Sequence, residues 1–492
     1  MKTHNLDTLF NPCSLALVGA SANPIKWGFI VLFNILKGEF EGLVYPVNPK
    51  LDSILGLPCY PSLEAIPEPV DLVVITTPAA TVSSLIDECG RKKVPHVVVI
   101  TSDFSETGPE GARMEQEIVE KAHRYGMRLV GPNTMGIFSA RTNLHALMPP
   151  VMPLHGSLSM FSQSGNVGVQ MLYWGINKGV GFNKFVSSGN EGDLKCEDYL
   201  NYFAEDAATS VILAYMEGLD AETELYRVAQ NVCRKKPVLI FKGGRTQTGG
   251  KAAASHSGAM AVSSRVLRAA FHQAGIIEIE DSQGLIDCAK AFSAYPIPRG
   301  NRIAILTRGG GWGVITADSC EEHGLVIPPL SDDIIEKMNK FLPPYWSHGN
   351  PVDMAAVITS EPYLECLEIL AEWDEVDAVI ALGGSIQGAL DFNDNVKGTE
   401  ELKKTLAFAR EIAKDYAGQN DIVLDHARKL VDKTGKPIIV VTLGDYEDHK
   451  SDLMNHQVVS YPTPERAVRA LARMVDYRRF LDSPVEDNNQ ND

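Results

Sequence analysis

The residues of this chain best suited to phosphate chemistry lie in the segment Lys242–Ala259. Four glycines and three cations precede His256, which stands between two serines, and an amphipathic helix pattern follows at once. Glycines let backbone amides approach a ligand, cations attract an anion, and a helix start adds partial positive charge. A neutral imidazole is a good nucleophile near neutral pH. The segment therefore indicates a histidine that carries a phosphoryl group; the simpler interpretation is a loop histidine that only contacts solvent or a neighbour.

A carboxylate able to act with this histidine is Glu217, which follows the apolar run Ser210–Met216. A carboxylate at a strand tip can accept the N–H of an imidazole and so orient the ring. The alternative for Glu217 is a solvated strand end. A second anion site is indicated at Ser162–Gly168, where serine hydroxyls and free amides meet the start of a predicted helix. An ordinary helix N-cap would use the same residues.

Parallel sheets must position these groups, because short apolar runs alternate with helical patterns along the whole chain. The first part of the chain has five predicted strands, at Ser14–Gly19, Gly42–Val47, Asp71–Thr76, His96–Thr101 and Arg128–Val130. They end in or just before Gly, Ser, Asn, Lys, Thr and Pro, and open α/β sheets bind nucleotides at that carboxyl edge. Ordinary turn chemistry explains any one of these ends, and the Gly-x-Gly-x-x-Gly fingerprint is absent.

Two proline-containing linkers, Pro149–Pro153 and Ala294–Arg299, divide the 492 residues. The prediction is an α/β protein with three doubly wound domains at 1–150, 154–296 and 300–481, followed by a disordered acidic tail at 482–492. A formal charge of −17 gives no electrostatic support for binding nucleic acid or an anionic membrane. The eight cysteines are scattered without a Cys-x-x-Cys pair, which favours reduced structural thiols over a zinc site. With no leader pattern and no apolar run of about 18 residues, a cytoplasmic protein is expected.

Six motifs, in their usual order, resemble those of the NDP-forming acyl-CoA synthetases. This family includes the ADP-forming acetate–CoA ligases and, more distantly, the α subunit of succinyl-CoA synthetase. The motifs are Val18–Pro24, Gly131–Ile137, Ser162–Gly168, Tyr215–Gly218, Ala252–Ala259 and Gly349–Asp353. The resemblance implies a Rossmann-like CoA-binding domain at 1–150, a phosphohistidine-bearing flavodoxin-like domain at 154–296, and a flavodoxin-like ligase-CoA domain at 300–481.

The resemblance also implies roles for individual residues. His256 resembles the phosphorylated residue of the family, and Glu217 the carboxylate that orients it. The phosphate would be held by Ser162, Gln163, Ser164, Gly165, Ser257 and Gly258. CoA would be held by Gly19, Ser21, Lys26, Asn48, Pro49, Lys50, Thr77 and Pro78, with Asn133 near its thiol end. No metal site is expected in the chain itself.

The implied chemistry proceeds in steps, in which an acid and phosphohistidine give an acyl phosphate and CoA thiolate then displaces phosphate. In the other direction, phosphohistidine passes its phosphoryl group to ADP. Two features depart from the family pattern: Asp103 stands where a glycine is common, and no ATP-grasp half is present. The resemblance therefore implies the α subunit of an ADP-forming acyl-CoA synthetase. ATP or ADP and Mg²⁺ would be bound mainly by a separate ATP-grasp β subunit, in an α2β2 assembly.

Two other functions compete with this prediction. A CoA-binding or acyl-CoA-binding regulatory protein could keep the fold without ligase activity, although it would need neither His256 nor Glu217. A nicotinamide-dependent oxidoreductase would need the missing glycine fingerprint and an acidic residue after the second strand, where Asn48–Lys50 stands instead. The acid itself is left open by the sequence, with acetate, a branched acid and an aryl acid all compatible.

Overall fold

In the computed structural model, the described residues are 6–218, 223–251, 264–355, 360–384, 399–443 and 458–484. The chain divides into two compact units, Met1–Leu285 and Ile286–Asp492. Each unit is built on parallel or mainly parallel sheets flanked by helices. The predicted α/β class is confirmed.

The first sheet has five parallel strands in the order β2-β1-β5-β6-β7. Its strands are β1 Ser14–Val18, β2 Leu43–Val47, β5 Leu72–Ile75, β6 His96–Val99 and β7 Arg128–Val130, and a small hairpin is formed by β3 Ser53–Ile54 and β4 Leu57–Pro58. Its helices are α1 Asp7–Phe10, α2 Trp27–Lys37, α3 Ala79–Lys92 and α4 Pro109–Arg124. Strands β1, β5 and β6 are buried throughout, as expected for parallel strands covered on both faces.

The second sheet has seven strands in the order β14-β13-β12-β10-β11-β8-β9. These strands are β8 Gly136–Ser139, β9 Leu144–Leu147, β10 His155–Ser162, β11 Phe182–Ser187, β12 Val211–Met216, β13 Val238–Lys242 and β14 Ile277–Ile279. Its helices include α5 Gly165–Lys178, α6 Cys196–Glu205, α7 Leu225–Val232 and α8 Ser264–Ala274. Strands β10 to β14 are parallel, whereas β8 is antiparallel to both β11 and β9.

The second sheet begins earlier in the chain than the linker prediction implies. Strands β8 and β9 lie within 1–150, yet Phe138 of β8 pairs with Phe185 of β11. The apolar β8–β9 hairpin covers the free edge of β11, which would otherwise expose unpaired backbone groups. The passage from one sheet to the other therefore lies between β7 and β8, and Pro149–Pro153 connects two strands of the same sheet.

The third sheet has five parallel strands in the order β16-β15-β17-β18-β19. Its strands are β15 Ile303–Thr307, β16 Val352–Asp353, β17 Ala378–Gly384, β18 Ile438–Leu443 and β19 Ser460–Tyr461. The remaining helices are α9 Ser282–Ala294, α10 Gly310–Glu322, α11 Asp332–Met338, α12 Ser360–Glu372, α13 Glu400–Thr434 and α14 Pro464–Asp482. Residues 485–492 of the predicted tail lie outside the described residues.

All three sheets share one strand order. Taking only the parallel strands of each sheet in chain order, the arrangement is 2-1-3-4-5. In such sheets a ligand binds beyond the carboxyl ends of the first and third strands, where the strand order reverses. Those points are β1/β5, β10/β12 and β15/β17. No helix among the described residues is long and apolar enough to span a membrane.

Candidate functional site

A cavity of about 510 Å³ lies at the carboxyl edges of the first and second sheets, inside the first unit. Residues that follow β1, β5, β6, β7, β9 and β10 all contribute to its lining. The predicted site residues that line it are Lys26, Thr77, Pro78, Asn133, Gln163, Ser164 and Gly165. Residues predicted separately to bind CoA and to bind phosphate thus line the same cavity.

Three helices begin at this cavity. Helix α2 starts at Trp27, α3 follows Pro78, and α5 follows Ser164, and all three of these residues line the space. Each helix start presents free amide groups and a partial positive charge. Together with the ammonium group of Lys26, these amides make the cavity suited to an anion.

The turn after β1 is pressed between the start of α2 and the end of β5. Gly19 has φ of +93°, and a methyl group there would lie 2.7 Å from Thr76 Oγ1. A methyl group on Gly28, in the first turn of α2, would lie 1.9 Å from the carbonyl oxygen of Gly19. Only glycine fits either position. The pair allows the close helix–strand packing that the dinucleotide fingerprint achieves with a different spacing.

The other predicted CoA residues near this turn shape the loop. Asn48 Nδ2 donates to the carbonyl of Ala20 at 2.7 Å, which joins the ends of β2 and β1. Asn48 Oδ1 accepts from the amide of Lys50 at 2.9 Å, and Ser21 Oγ accepts from the amide of Asn23 at 3.1 Å. Lys50 is exposed. The predicted CoA residues that are not among the described lining residues of the cavity are Gly19, Ser21, Asn48, Pro49 and Lys50.

Asn133 lies in the segment between β7 and β8, which connects the first sheet to the second, and hydrogen bonds fix its position. Its amide N–H donates to the carbonyl of Thr101 at 2.9 Å, and its side-chain Nδ2 donates to Asn190 Oδ1 at 3.2 Å. Asn190 Nδ2 in turn donates to Glu106 at 2.6 Å and to Glu115 at 2.9 Å. Two carboxylates thus orient Asn190, and Asn190 orients the side chain of Asn133.

Asp103, the predicted departure from the family pattern, has φ of +72°. Glycine adopts this left-handed conformation most easily, and aspartate tolerates it better than most residues do. Its amide donates to Glu106 Oε1 at 2.7 Å. Asp103 is exposed and is not among the described lining residues, although Ser102 beside it is.

Gln163 joins the start of α5 to the end of β12. Its Oε1 accepts from the amides of Glu217 at 2.7 Å and Gly218 at 3.2 Å. Its Nε2 donates to the carbonyl of Gly218 at 3.2 Å and to Glu191 Oε2 at 3.1 Å. Both ends of the Gln163 side chain are therefore engaged in holding the backbone that carries Glu217.

The side chain of Glu217 has a phenol beside it. Tyr215 donates to Glu217 Oε1 at 3.3 Å, and burial together with Glu217 raises the pKa of Tyr215 to about 12. Lys242 Nζ, whose pKa is lowered by burial, donates to the carbonyl of Glu217 at 2.6 Å. Lys242 ends β13, the strand from which the predicted phosphohistidine segment departs. His256, Ser257 and Gly258 lie outside the described residues.

The serines before α5 have different positions. Ser162 is fully buried and donates to the carbonyl of Ser164 at 2.6 Å, so its hydroxyl stabilises the turn from the buried side. Ser164 caps α5 by accepting from the amide of Val167 at 3.5 Å. A methyl group on Gly165 would lie 2.2 Å from Cγ of Met135, so that side chain covers the helix start.

Several lining residues escaped the sequence-based prediction. Thr76, Thr101 and Ser102 stand at strand ends, where the polar residue types were a usable signal. Met135 and Met148 gave no such signal, because only the pairing of β8 with β9 brings them together. Across the described ranges, no group of three or more His, Cys, Asp or Glu side chains could hold a metal ion. All eight cysteines are free thiols.

Three known domain families match the chain in sequence. A CoA binding domain matches residues 14–140, a succinyl-CoA ligase like flavodoxin domain matches 155–292, and a Ligase-CoA domain matches 303–382. The first two matches contain the strands whose ends form the cavity, except β9, which lies between the two matched ranges.

Similar proteins are found along the whole chain. The acetate–CoA ligase [ADP-forming] II subunit alpha of Pyrococcus furiosus is 41% identical over 98% of this chain and 99% of its own length. The acetate–CoA ligase [ADP-forming] I of Archaeoglobus fulgidus is 42% identical over 77% of this chain, which spans about half of that protein (54%). Among solved structures, the dinucleotide forming acetyl-coenzyme A synthetase 1 of Ca. Korarchaeum cryptofilum, in complex with phosphate and ADP, has 34% identity and a TM-score of 0.83. That match covers 97% of this chain and 98% of the other.

Proposed function

This chain belongs to the ADP-forming acetate–CoA ligase α-subunit family of NDP-forming acyl-CoA synthetases, and we propose that it serves such a ligase in the following way. The complete enzyme interconverts a carboxylic acid, CoA and ATP with the acyl-CoA, ADP and phosphate. The observation that carries the proposal is the cavity at which α2, α3 and α5 all begin. It combines an anion-binding surface with residues from the CoA-binding domain.

CoA binds along the carboxyl edge of the first sheet. The exposed ammonium groups of Lys26 and Lys50 flank the turn after β1 and attract the phosphates of CoA. Gly19, Ser21, Asn48 and Pro49 shape that turn and the neighbouring strand end. Thr77 and Pro78 follow β5 and guide the pantetheine arm into the cavity, so that the thiol reaches Asn133. This order along the sheet edge supports the assignment of one extended ligand.

The phosphoryl group is transferred from His256 to the acid at the start of α5. There the carboxylate of the acid attacks the phosphoryl group on His256, the P–N bond breaks, and an acyl phosphate forms. The Ser164 hydroxyl and the amide groups of Gly165 and the residue after it hold the phosphate charge. The CoA thiolate then attacks the acyl carbon, the C–O bond to phosphate breaks, and the thioester and free phosphate result.

Glu217 acts on the histidine. Its carboxylate accepts the imidazole N–H, which orients the ring and stabilises the positive charge that the ring carries while phosphorylated. Support for this role comes from its place at the end of β12, beside β13 and the beginning of Lys242–Ala259. Ser257 and Gly258 complete the phosphate site from the same segment.

A second chain supplies the nucleotide chemistry. The Pyrococcus furiosus relative is named an alpha subunit, and the longer Archaeoglobus fulgidus relative contains further sequence beyond the part matched here. We assign ATP or ADP and Mg²⁺ mainly to an ATP-grasp β subunit, in an α2β2 assembly. Gel filtration with mass measurement of the mixed subunits tests that stoichiometry.

Phosphorylation of His256 tests the proposed function. The chain is incubated with its β partner, Mg²⁺ and ATP labelled on the γ-phosphate, and acid-labile label on the chain is measured along with acyl-CoA formation. The variant His256→Asn should lose both, and Glu217→Gln should lower the phosphorylation rate by roughly 10²-fold, as expected when a group that orients the reacting imidazole is removed. Both variants should bind CoA normally.

His272→Asn is the matched control, because His272 is an exposed histidine of α8 in the same domain. It should be phosphorylated and active like the wild type. A wild-type chain that binds CoA yet acquires no acid-labile phosphate would favour the CoA-binding regulatory protein instead. Preferential binding of NADH over CoA would favour an oxidoreductase.

A further inference from the structure

Two methionines form an apolar part of the cavity wall. Met135 and Met148 both line the cavity, and the amide of Met148 donates to the carbonyl of Met135 at 2.9 Å. This bond continues the antiparallel β8–β9 pairing by one step beyond the Gly136–Leu147 pair. Side chains directly opposite each other in an antiparallel pair lie on the same face. The two thioethers therefore form a continuous apolar surface.

Met135 lies directly over the start of α5. The close approach of its Cγ to the Gly165 position places this side chain against the first amides of the helix. Its own backbone is fixed, because its amide donates to Ser187 Oγ at 3.1 Å. A methionine side chain is unbranched and adapts its shape, so it can pack against small apolar groups of different form.

The chemistry at the start of α5 determines where the carbon chain of the acid must lie. The carboxyl group has to reach the amides that hold the phosphate, so the substituent next to that carboxyl lies against whatever covers the helix start. Met135 covers it, and Met148 extends the same surface. Among the described lining residues, Lys26 is the only one with a charged side chain, and it belongs to the CoA turn.

We propose that Met135 and Met148 are the specificity-determining residues of the acid site, and that their thioethers limit the length of the uncharged carbon chain that the site accepts. The inference rests on the proposed ligase function and narrows its substrate class. A second carboxylate, as in a dicarboxylic acid, would lie against two thioethers and lose its hydration without a compensating cation.

The test measures kcat/KM for acetate, propionate, butyrate and succinate with the assembled enzyme. Met135→Ala and Met148→Ala should each raise the butyrate-to-acetate ratio by about 10-fold or more, since each added methylene in an apolar pocket is worth about 10-fold or more in discrimination. Succinate should be a poor substrate of the wild type. The matched control is Met152→Ala, a half-buried methionine after β9 that is not among the described lining residues.

A binding measurement separates this inference from the ligase proposal. The affinities of the purified chain for acetyl-CoA and butyryl-CoA are compared, which needs neither the β partner nor turnover. Both cavity variants should shift the relative affinity towards butyryl-CoA, and Met152→Ala should not. Unchanged preferences in both cavity variants, or efficient use of succinate by the wild type, would overturn the inference. If the wild type forms no acyl-CoA from any acid, the ligase proposal fails, and the binding comparison still decides the role of the methionines.

Discussion

Gln163 shows how a single residue links the two parts of the proposed phosphate site. It begins the turn before α5, and its side chain binds the backbone of Glu217 and Gly218 through both its oxygen and its nitrogen. Glu191 holds the same nitrogen and is itself bound by Ser188 Oγ at 2.7 Å. That Gln163 binds phosphate stays a prediction. Its side chain positions Glu217, and its backbone belongs to the turn that lines the cavity.

Replacing Gln163 by leucine should therefore separate positioning from binding. Gln163→Leu leaves the amides of Glu217 and Gly218 without their acceptor, and a buried donor without a partner costs about 1–3 kcal/mol. We expect the phosphorylation rate of His256 to fall by about 10-fold, the equivalent of about 1.4 kcal/mol, while the CoA dissociation constant is unchanged. Labelling kinetics and CoA titration measure the two effects.

The control for this variant is Gln116→Leu, which removes an exposed glutamine that binds only Glu120 on the surface of α4 within the described contacts. It should leave both measurements unaltered. A normal phosphorylation rate in Gln163→Leu would show that Glu217 keeps its position without the clamp.

At the scale of elements, the turn between β1 and α2 places a helix start against the end of β5. Gly19 has no space for a side chain, whereas Gly56, in the turn between β3 and β4, has φ of +84° and nothing within 4 Å of an added methyl group. The two glycines share a left-handed backbone and differ in their surroundings. They therefore allow the cost of backbone strain to be separated from the cost of close packing.

Gly19→Ala and Gly56→Ala form a matched pair on this basis. Gly56→Ala should lower the free energy of unfolding by only about 1–2 kcal/mol, the cost of a left-handed alanine. Gly19→Ala should cost more, because the new methyl group must displace Thr76 or the start of α2. Its CoA dissociation constant should also rise, by about 10-fold, since an interaction of about 1.4 kcal/mol lost from the helix start changes binding by that factor.

Urea denaturation and CoA titration of both variants measure these effects. Equal losses of stability and unaltered CoA binding in the two variants would contradict the proposed close packing of α2 on the end of β5. Loss of CoA binding in Gly56→Ala alone would contradict the proposed position of CoA at the turn after β1.

The molecule as a whole buries many groups that ionise at alkaline pH. Burial raises the pKa of the thiols of Cys89, Cys196, Cys233, Cys320 and Cys366 and of the phenols of Tyr199, Tyr363 and Tyr461. Their folded-state pKa values lie above the unfolded ones, so the stability they contribute is complete below the unfolded pKa and is lost as the pH rises towards the folded one. Burial lowers the pKa of Lys236, Lys242 and Lys436, so the contribution of these lysines to the free energy of unfolding increases as the pH rises.

The thiols and phenols outnumber the lysines, so the free energy of unfolding should fall above about pH 8.5, where unfolded cysteines begin to ionise. Each buried thiol contributes a slope of about 1.4 kcal/mol per pH unit. Urea denaturation under reducing conditions between about pH 7 and about pH 10 measures this slope across the unfolded cysteine and tyrosine pKa values. Cys233→Ala should reduce it, whereas substitution of the exposed Cys13 should not. A stability that rises between pH 8 and pH 10 would contradict the prediction.

The alternation of apolar runs with helical patterns was sufficient to predict an α/β protein built on mainly parallel sheets. The strand ends, together with the family resemblance, pointed to seven residues that line one cavity, because the carboxyl ends of parallel strands meet at one edge and the residues after them must gather there. The assignment of His256, which lies outside the described residues, stays a prediction. Residue type and position along a strand are local properties, and a sequence displays them directly.

Only the tertiary structure decided that β8 and β9 join the second sheet, that Met135 thereby lies at the start of α5, and that Met148 lines the same cavity. It also decided that Ser162 faces the interior and that Gln163 binds a backbone segment 54 residues further along the chain. These contacts depend on which strand edges pair and which side chains meet across distant parts of the chain. Hydrophobic periodicity carries no information about such pairing, because every apolar strand with a free edge offers the same backbone groups to its partner.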